Sequence, residues 1–232
     1  MSRTDPKKVV FTGMASVAKA LSHPHRIEIL ELLAQGEQNV ETVAERAGLS
    51  VANASQHLRL MRSAGLLVSR RDGKNVVYAI GDGTAIGAIG ALGRVAERNR
   101  AEVREVVSDY FNARDCMEPV SRAELLKRVK DGTVTLVDVR PAEEYGAGHV
   151  PGALNIPFRQ LAERLGELPS GVEVVAYCRG PYCVLAFEAV ALLRRLGIDA
   201  RRLEDGYPEW KAAGLPVDTA ETRRRAAEPP PA

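Results

Sequence analysis

Two different patterns of apolar residues divide this chain near its middle. In the first half, apolar residues recur mainly at helical spacing, with one pair of short strands before a last helix. In the second half, short apolar runs typical of buried strands alternate with helical segments. A chain of 232 residues is long for one domain, and two units of roughly 110 residues each fit the usual domain size. The sequence therefore predicts two domains of different fold class.

The first half is predicted to be mainly helical, with one β-hairpin. The expected elements are a helix over 7–20, a helix capped by Ser22 and ending near Gly36, a short helix over 40–47, a helix capped by Ser50 and ending at Ala64, strands over 66–70 and 76–80, and a long last helix over about 82–113. Ile27, Leu30 and Leu33 are expected to form the buried stripe of the second helix. Asp72-Gly73 is a strong signal for a hairpin turn.

The second half is predicted to be an α/β unit. The expected helices are 122–130, 142–145, 158–165 and 183–196, and the expected strands are 134–139, 173–177 and 200–203. Strands that alternate with helices indicate a parallel central sheet covered on both faces. We therefore divide the chain into a first domain over 1–113, a linker over 114–120, a second domain over 121–218 and a disordered tail over 219–232.

The middle of the first domain has the plan of a winged helix-turn-helix. A short helix, a turn at Gly48, a capped second helix and a basic hairpin follow one another, and the second helix fits a major groove of DNA. Between Arg59 and Lys74 there are five basic residues against one acid, which suits contact with phosphates, although a run of charge also suits a solvated surface. The candidate DNA-binding residues are Ser50, Asn53, Gln56, His57, Arg59, Arg70, Arg71 and Lys74.

This region resembles the arsenical-repressor family of winged helix-turn-helix regulators. The resemblance lies in the segment from Ser50 to Leu66 and in the segment from Leu21 to Leu30. It implies a homodimer, joined through the first and last helices, that binds a near-palindromic operator in double-stranded DNA. The metal-sensing members carry a Cys-x-Cys box where this chain reads Glu-Gln-Asn-Val-Glu-Thr-Val over 37–43. We therefore expect no metal site, and we interpret His23 and His25 as structural.

Cys178 is the candidate nucleophile of the second half. It follows the apolar run Val-Val-Ala-Tyr and precedes a helix, where loop amides and a helix N-terminus favour an anion and a thiolate. Arg179 adds a positive charge beside it. Such a thiolate attacks sulfane sulfur and holds it as a persulfide. The alternative is a buried cysteine that only packs.

The second half resembles the rhodanese family in three motifs. Asp138-Val-Arg140 with the segment 143–157 is similar to its first signature, Cys178-Arg-Gly-Pro-Tyr-Cys183 to its six-residue catalytic loop, and the segment 204–210 to its closing motif. The resemblance implies sulfurtransferase chemistry with Cys178 as the sulfur acceptor and with Asp138 and Arg140 supporting the pocket. We interpret His149 as a structural loop histidine.

The loop departs from the rhodanese pattern at two positions. Cys183 stands where sulfurtransferases often have Arg, Lys or Thr, and Pro181 removes one backbone N–H from the expected anion site. Thiosulfate would meet a weaker anion site, for which Arg179 partly compensates. A Cys178 persulfide could be resolved by the Cys183 thiolate, with release of sulfide and formation of a disulfide. Alternatively, Cys183 is a small buried residue of the following helix.

The remaining sequence features bear on the setting of the protein. The N-terminus lacks the apolar region of a signal peptide, and no apolar run approaches the roughly 18 residues of a membrane span. Three cysteines, with Cys116 incidental in the linker, are too few for a secreted disulfide scaffold, and the net charge is only +2. We expect a cytoplasmic protein with reduced thiols, no cofactor and no membrane partner.

Three functions remain open on the sequence. The first is a DNA-binding regulator that senses persulfide or redox state at Cys178 and Cys183. The second is a sulfurtransferase that uses thiosulfate or a persulfide and carries an independent DNA-binding domain. The third is an oxyanion enzyme of the arsenate-reductase or phosphatase type. The six-residue loop from Cys178 to Cys183 disfavours it, because enzymes of that class usually hold phosphate-sized anions in a loop one residue longer.

Overall fold

The computed structural model describes residues 5–112 and 119–219, without the side chains of residues 110–112. The chain divides into two compact units, Met1–Ile89 and Gly90–Ala232, so that the division lies inside a helix. The predicted linker over 114–120 lies outside the described residues apart from its last two positions, and so does the predicted tail apart from Thr219. No helix in the described ranges combines the length and the apolar character that crossing a membrane requires.

The first unit contains helices and a small antiparallel sheet. Its elements are α1 (Pro6–Leu21), α2 (Pro24–Ala34), β1 (Gln38–Asn39), α3 (Val40–Arg46), α4 (Val51–Ser63), β2 (Leu67–Asp72), β3 (Asn75–Ile80) and the start of α5 (Thr84–Asn99). The strand order is β1-β3-β2. Asp72 pairs with Asn75, so Gly73 and Lys74 form the turn, and Gly73 has a φ of 59° that an L side chain rarely adopts. The predicted wing is confirmed.

Helix α2 differs from its prediction at two points. Its N-cap is His23, not Ser22, and the Nδ1 atom of His23 accepts a hydrogen bond from the backbone N–H of His25 at 3.3 Å. Ile27 is 38% exposed, so its predicted place in the core is wrong. The buried face of α2 instead consists of Arg26, Ile29, Leu30, Leu33 and Ala34. The buried face of α2 is therefore rotated about the helix axis relative to the predicted stripe.

The predicted single helix over 82–113 is wrong. Helix α5 ends at Asn99, Arg100 adopts an extended backbone with φ −115° and ψ 113°, and α6 (Ala101–Val106) then leads into a π-helical segment, Val107–Asn112. The extended residue interrupts the i to i−4 hydrogen bonding, so the last part of the helical region has its own start and direction.

The second unit contains a parallel sheet between helices. Its further elements are α7 (Arg122–Lys130), β4 (Val134–Asp138), α8 (Ala142–Ala147), β5 (Leu154–Asn155), β6 (Glu173–Tyr177), α9 (Val184–Arg195), β7 (Ala200–Arg202) and α10 (Tyr207–Ala212). The strands are all parallel, in the order β5-β4-β6-β7. The predicted helix over 158–165 is wrong, because only the short 3₁₀ turns Phe158–Gln160 and Leu165–Glu167 form there.

Strand β6 shows how the sheet is covered. Val174 and Ala176 face the cluster that includes the buried side of α9, whereas Val175 and Tyr177 face the cluster that includes Leu125 of α7. This alternation follows from the two-residue period of a strand. The predicted fold class, a winged helix-turn-helix followed by an α/β unit with a parallel sheet, is confirmed. Cys178 follows directly at the carboxyl end of β6.

Candidate functional sites

Helix α4 presents most of the candidate base-contacting residues to solvent. The hydroxyl of Ser50 caps the helix by accepting a hydrogen bond from the backbone N–H of Asn53 at 3.2 Å. The buried face consists of Ala54, Leu58 and Met61, as the sequence indicates. The exposed residues of this group are Ser50, Asn53, Gln56 and Arg59. Amide side chains on an exposed helix face suit the edge of adenine, and Arg59 suits phosphate.

His57 points towards the start of α2. Its ring centroid lies 4.8 Å from that of His23 and 6.3 Å from that of His25. The pKa of His57 is lowered by burial first and then by the positive charges of His23, Arg26 and His25. A neutral, half-buried ring packed against α2 suits the interior of the helix-turn-helix better than a contact with DNA.

We expect the stability of the first unit to fall as the pH drops from about 7 to about 5, in part because of His57. Since the folded pKa of His57 is lowered, the unfolded chain binds protons below its ordinary pKa of about 6.5 more readily than the folded chain does. Thermal melting of wild type and His57→Gln, followed by circular dichroism across this range, tests the effect. The variant should show a shallower loss of Tm on acidification. Equal slopes for the two proteins would contradict the assignment.

The three basic residues of the wing are not equivalent. The guanidinium of Arg70 donates to both carboxylate oxygens of Glu37, and it lies 3.5 Å from Asp72. The pKa of Arg70 is raised, first by the hydrogen bond to Glu37, and the pKa of Glu37 is lowered by the same bond. Arg71 and Lys74 are exposed at the tip of the hairpin. The sequence did not indicate Glu37 as a partner, because β1 had not been predicted.

Cys178 and Cys183 lie together at the start of α9. Cys178 is 1% exposed, and Cys183 is the N-cap of the twelve-residue helix. The structure joins the two residues as a disulfide, with their Cα atoms 6.2 Å apart. This Cα separation lies within the usual range for disulfides. In the reduced protein, the helix dipole and the first backbone N–H groups of α9 would favour a negative charge near Cys183.

The one arginine of the loop from Cys178 to Cys183 is paired with a buried carboxylate. The Nε atom of Arg179 donates to Oε2 of Glu144 at 2.9 Å, and its Nη2 atom donates to Oε1 at 2.7 Å. Glu144 is 4% exposed and lies on α8, in the segment of the first rhodanese-like motif. The sequence did not predict this partner. A partly buried arginine beside Cys178 needs a counter-ion, but two adjacent glutamates, Glu143 and Glu144, are equally available in the sequence.

Asp138 and Arg140 form a fully buried ion pair beside the Cys178 strand. Arg140 donates from Nη2 to Oδ2 of Asp138 at 2.6 Å and to the carbonyl oxygen of Gly148 at 2.7 Å. Its guanidinium also lies 4.3 Å from the ring centroid of Tyr207. Burial opposes the charged form, but the bonds and charge of Asp138 outweigh it and raise the pKa of Arg140. Because both side chains are fully buried, the pair holds neighbouring segments of the chain together.

Gly206 brings the segment 204–210 against the loop from Cys178 to Cys183. A Cβ atom at Gly206 would overlap with the backbone nitrogen of Gly180 and with the carbonyl carbon of Arg179. Beside this contact, the backbone N–H of Tyr207 donates to the carbonyl oxygen of Cys178 at 3.0 Å. The start of α10 therefore packs directly against the loop, and this close approach explains why a glycine stands at the start of that helix.

Tyr182 connects the loop to the part of α5 that belongs to the second unit. Its ring lies against Gly93, where a Cβ atom would come 3.0 Å from the hydroxyl oxygen, and the hydroxyl hydrogen-bonds the carboxylate of Glu97. The pKa of Tyr182 is raised by burial first and then by the charge of Glu97. Because Tyr182 directly precedes Cys183, a change at the cysteine bears on this contact.

His149 packs in the interior of the second unit. Its ring stacks on Tyr145 with the centroids 3.6 Å apart, and its Nδ1 atom lies 2.9 Å from the carbonyl oxygen of Tyr145. It is 1% exposed, which suits the structural role expected from the sequence. Across residues 5–112 and 119–219, no group of three or more His, Cys, Asp or Glu side chains is arranged to hold a metal ion.

Comparison with known proteins gives matches to both halves. Residues 21–70 match a helix-turn-helix domain, and residues 121–213 match the rhodanese-like domain. An HTH-type transcriptional regulator of Mycobacterium tuberculosis is 44% identical over 93% of this chain and 95% of its own length. A sulfurtransferase of Allochromatium vinosum is 34% identical over 36% of this chain and 78% of its own length.

Among solved structures, a homodimeric winged helix-turn-helix domain from Mycobacterium bovis, described as possibly of the ArsR family, is 32% identical. It covers 44% of this chain and 94% of its own, with a TM-score of 0.40. The match to the M. tuberculosis regulator spans both halves of this chain, and with the two domain matches it confirms the combination inferred from the sequence. The chain therefore belongs to the family of helix-turn-helix transcriptional regulators in which a rhodanese-like domain follows the DNA-binding region.

Proposed function

We propose that this transcriptional regulator changes its affinity for operator DNA when Cys178 accepts sulfane sulfur. One observation carries the proposal: Cys178 and Cys183 lie within disulfide distance at the start of a helix, with Cα atoms 6.2 Å apart, in a chain that also holds a winged helix-turn-helix. The first cysteine would capture sulfur and the second would convert the capture into a lasting disulfide.

The DNA-binding half of the proposal rests on exposed residues of α4 and of the wing. Asn53 and Gln56 would meet base edges, while Arg71 and Lys74 would meet phosphates. A homodimer suits this arrangement, because two recognition helices related by a two-fold axis read a near-palindromic duplex. The apolar side chains that α1 exposes would form part of the dimer interface: Val9, Val10, Phe11 and Met14.

The sulfur chemistry proceeds in two balanced steps. The Cys178 thiolate attacks the terminal sulfur of a donor R–S–SH; the donor S–S bond breaks, R–S⁻ leaves, and Cys178 carries –S–SH. The Cys183 thiolate then attacks Sγ of Cys178, forms the protein disulfide and releases HS⁻. The two protein thiols are oxidised by two electrons, and the sulfane sulfur is reduced to sulfide.

Helix α5 offers a route from the cysteines to the DNA-binding helices. Tyr182, the residue before Cys183, contacts Gly93 and Glu97 within the second unit, and α5 runs as one helix from Thr84 to Asn99. Closing or opening the disulfide alters the loop that carries Tyr182. The contact with α5 would then bias that helix between two arrangements, which is what coupling between two sites requires.

A second candidate function is sulfur transfer with independent DNA binding. It is favoured by the resemblance of the second half to the A. vinosum sulfurtransferase. Both candidates use Cys178 as the sulfur acceptor, and they differ in whether its sulfur state reaches the DNA-binding region. Operator affinity measured together with the sulfur state of the protein therefore separates them.

We expect a hydropersulfide donor to change the operator affinity of wild type by at least about tenfold, a typical size for coupling between two sites. The duplex is one selected from a random library by the reduced full-length protein, and fluorescence anisotropy reports binding. Intact mass shows whether sulfur has been added or a disulfide formed. Cys178→Ser should show no donor effect, because the sulfur acceptor is lost.

The matched control is Cys116→Ser, which also removes one cysteine and should respond like wild type. If the donor modifies Cys178 in wild type and the affinity stays constant, sensing is refuted and the independent sulfurtransferase is favoured. If the donor changes the affinity of Cys178→Ser as much as that of wild type, Cys178 is not the sensor.

A further inference from the structure

Both guanidinium groups of the cysteine-site motifs are already held by carboxylates. Arg179 makes a two-pronged contact with Glu144, at 2.9 Å and 2.7 Å, and Arg140 is bound to Asp138. Glu144 is 4% exposed, so moving Arg179 away would take a hydrogen-bonded cation from a buried carboxylate. Arg179 is therefore held in place by the free-energy cost of separating this pair. Its positive charge is largely balanced by Glu144 before a substrate binds.

Two backbone positions of the loop offer no N–H to an anion. Pro181 has no N–H, and the N–H of Cys183 already donates to the carbonyl oxygen of Gly180 at 3.1 Å. A second carboxylate lies beside Gly180. Both oxygens of Glu209 lie within 3.8 Å of the point where a Cβ of Gly180 would stand. An incoming dianion would therefore approach a loop that has two carboxylates close to it and whose one guanidinium is already paired.

We propose that the Glu144–Arg179 ion pair selects the class of sulfur donor, so that Cys178 accepts sulfur from thiol hydropersulfides in preference to thiosulfate. This rests on the proposed function, because it concerns the same sulfur-accepting cysteine. Thiosulfate keeps two negative charges, and its leaving group is sulfite, which needs a cation to stabilise it. A hydropersulfide leaves as a simple thiolate and places its transferred sulfur on Cys178 without a bound oxyanion.

The test compares two donors on the reduced full-length chain. Thiosulfate and cysteine hydropersulfide are each added, samples are alkylated with iodoacetamide, and the rate at which the simple thioether adduct of Cys178 disappears is followed by mass spectrometry. A persulfide is alkylated on its outer sulfur and appears with one additional sulfur, and a disulfide is not alkylated, so both count as loss of the simple adduct. In wild type the second-order rate constant should be at least about tenfold higher for the hydropersulfide, which corresponds to a modest difference in interaction with one charge.

The variant Glu144→Gln keeps the shape of the side chain and removes its charge, so Arg179 becomes available to an anion. The ratio of the thiosulfate rate to the hydropersulfide rate should rise by about tenfold. Glu167→Gln is the matched control: it removes the same charge from an exposed carboxylate paired with Arg164, and it should leave the ratio as in wild type. Tyr182→Arg, at a half-exposed loop position, adds a cation without disturbing Glu144, and it should raise the ratio as well.

Three outcomes overturn the inference. In the first, thiosulfate modifies wild-type Cys178 as fast as the hydropersulfide, which refutes donor selection and leaves the proposed sulfur capture intact. In the second, the ratio stays unchanged in both Glu144→Gln and Tyr182→Arg, so that the charge of the loop does not determine donor choice. In the third, neither donor modifies wild-type Cys178, and the proposed function fails together with the inference.

Discussion

Replacing Arg140 by Met should lower the free energy of unfolding of the second unit by about 3–5 kcal/mol. The change leaves the Asp138 carboxylate fully buried without its guanidinium, and it also removes the bond to the carbonyl oxygen of Gly148. Urea unfolding followed by the fluorescence of Trp210 measures the loss. Trp210 is the single tryptophan of the chain and is buried in the second unit, so its signal reports that unit.

The control for this prediction is Arg164→Met. Arg164 pairs with Glu167 on the surface, and exposed pairs contribute between 0 and about 1 kcal/mol. A double variant, Asp138→Leu with Arg140→Met, should recover part of the loss because no buried charge remains unpaired. If Arg140→Met is no more destabilising than Arg164→Met, the buried ion pair does not hold the second unit together.

The second large effect is expected for Gly206→Ala. The backbone of Gly206, with φ −108° and ψ −174°, is open to any residue, so the effect comes from the added methyl group alone. That methyl would overlap with backbone atoms of Gly180 and Arg179, which cannot turn aside as a side chain can. We expect a loss of about 1–3 kcal/mol in stability, as for other overpacked sites. The loop would shift, and the rate of sulfur capture by Cys178 should fall by more than about tenfold, since reacting groups must be closely aligned.

Gly146→Ala is the matched control for the steric argument. A Cβ atom at Gly146 meets no atom within 4 Å, and the residue lies in α8, where alanine is favoured over glycine by up to about 1 kcal/mol. This variant should be as stable as wild type or more so, and it should capture sulfur normally. A Gly206→Ala protein that captures sulfur at the wild-type rate would show that α10 does not position the loop.

Local signals in the sequence were sufficient for the elements that carry the two sites. Ser50 caps its helix as its residue type predicts, because a hydroxyl satisfies a backbone N–H that the helix leaves unpaired. The alternation in β6 and the cysteine that follows it could be read directly from the apolar run. These features depend on residues close together in the chain, which is why a single sequence reveals them.

Errors arose where tertiary packing decides the conformation. Leu161 and Leu165 stand four residues apart, which is a helical spacing, but the backbone between them forms only turns. Leu161 is nevertheless buried in the core of the second unit. Arg100 interrupts the last helical region although neither proline nor glycine stands there to signal a break. A helical spacing of leucines is necessary for an amphipathic helix but does not establish one.

The partners of the site residues could not be predicted for a different reason. Glu144 meets Arg179 across 35 positions of sequence, and Glu37 meets Arg70 across 33. The sequence shows that such arginines need counter-ions, but it does not show which carboxylate the fold brings to them. Gly206 belongs to the same group, because its role depends on a loop that passes close to it only in the folded chain.

The ion pairs of the wing have a consequence for how the protein responds to salt. Each phosphate that a basic side chain neutralises releases counter-ions and steepens the fall of affinity with salt, by about 0.9 in the logarithmic slope. Arg70 must leave Glu37 and Asp72 before it can meet a phosphate, so it exchanges one anion for another and contributes less to that slope. Arg71 and Lys74 would then set most of the ionic contribution of the wing, and operator occupancy would vary less with ionic strength than the number of basic residues suggests.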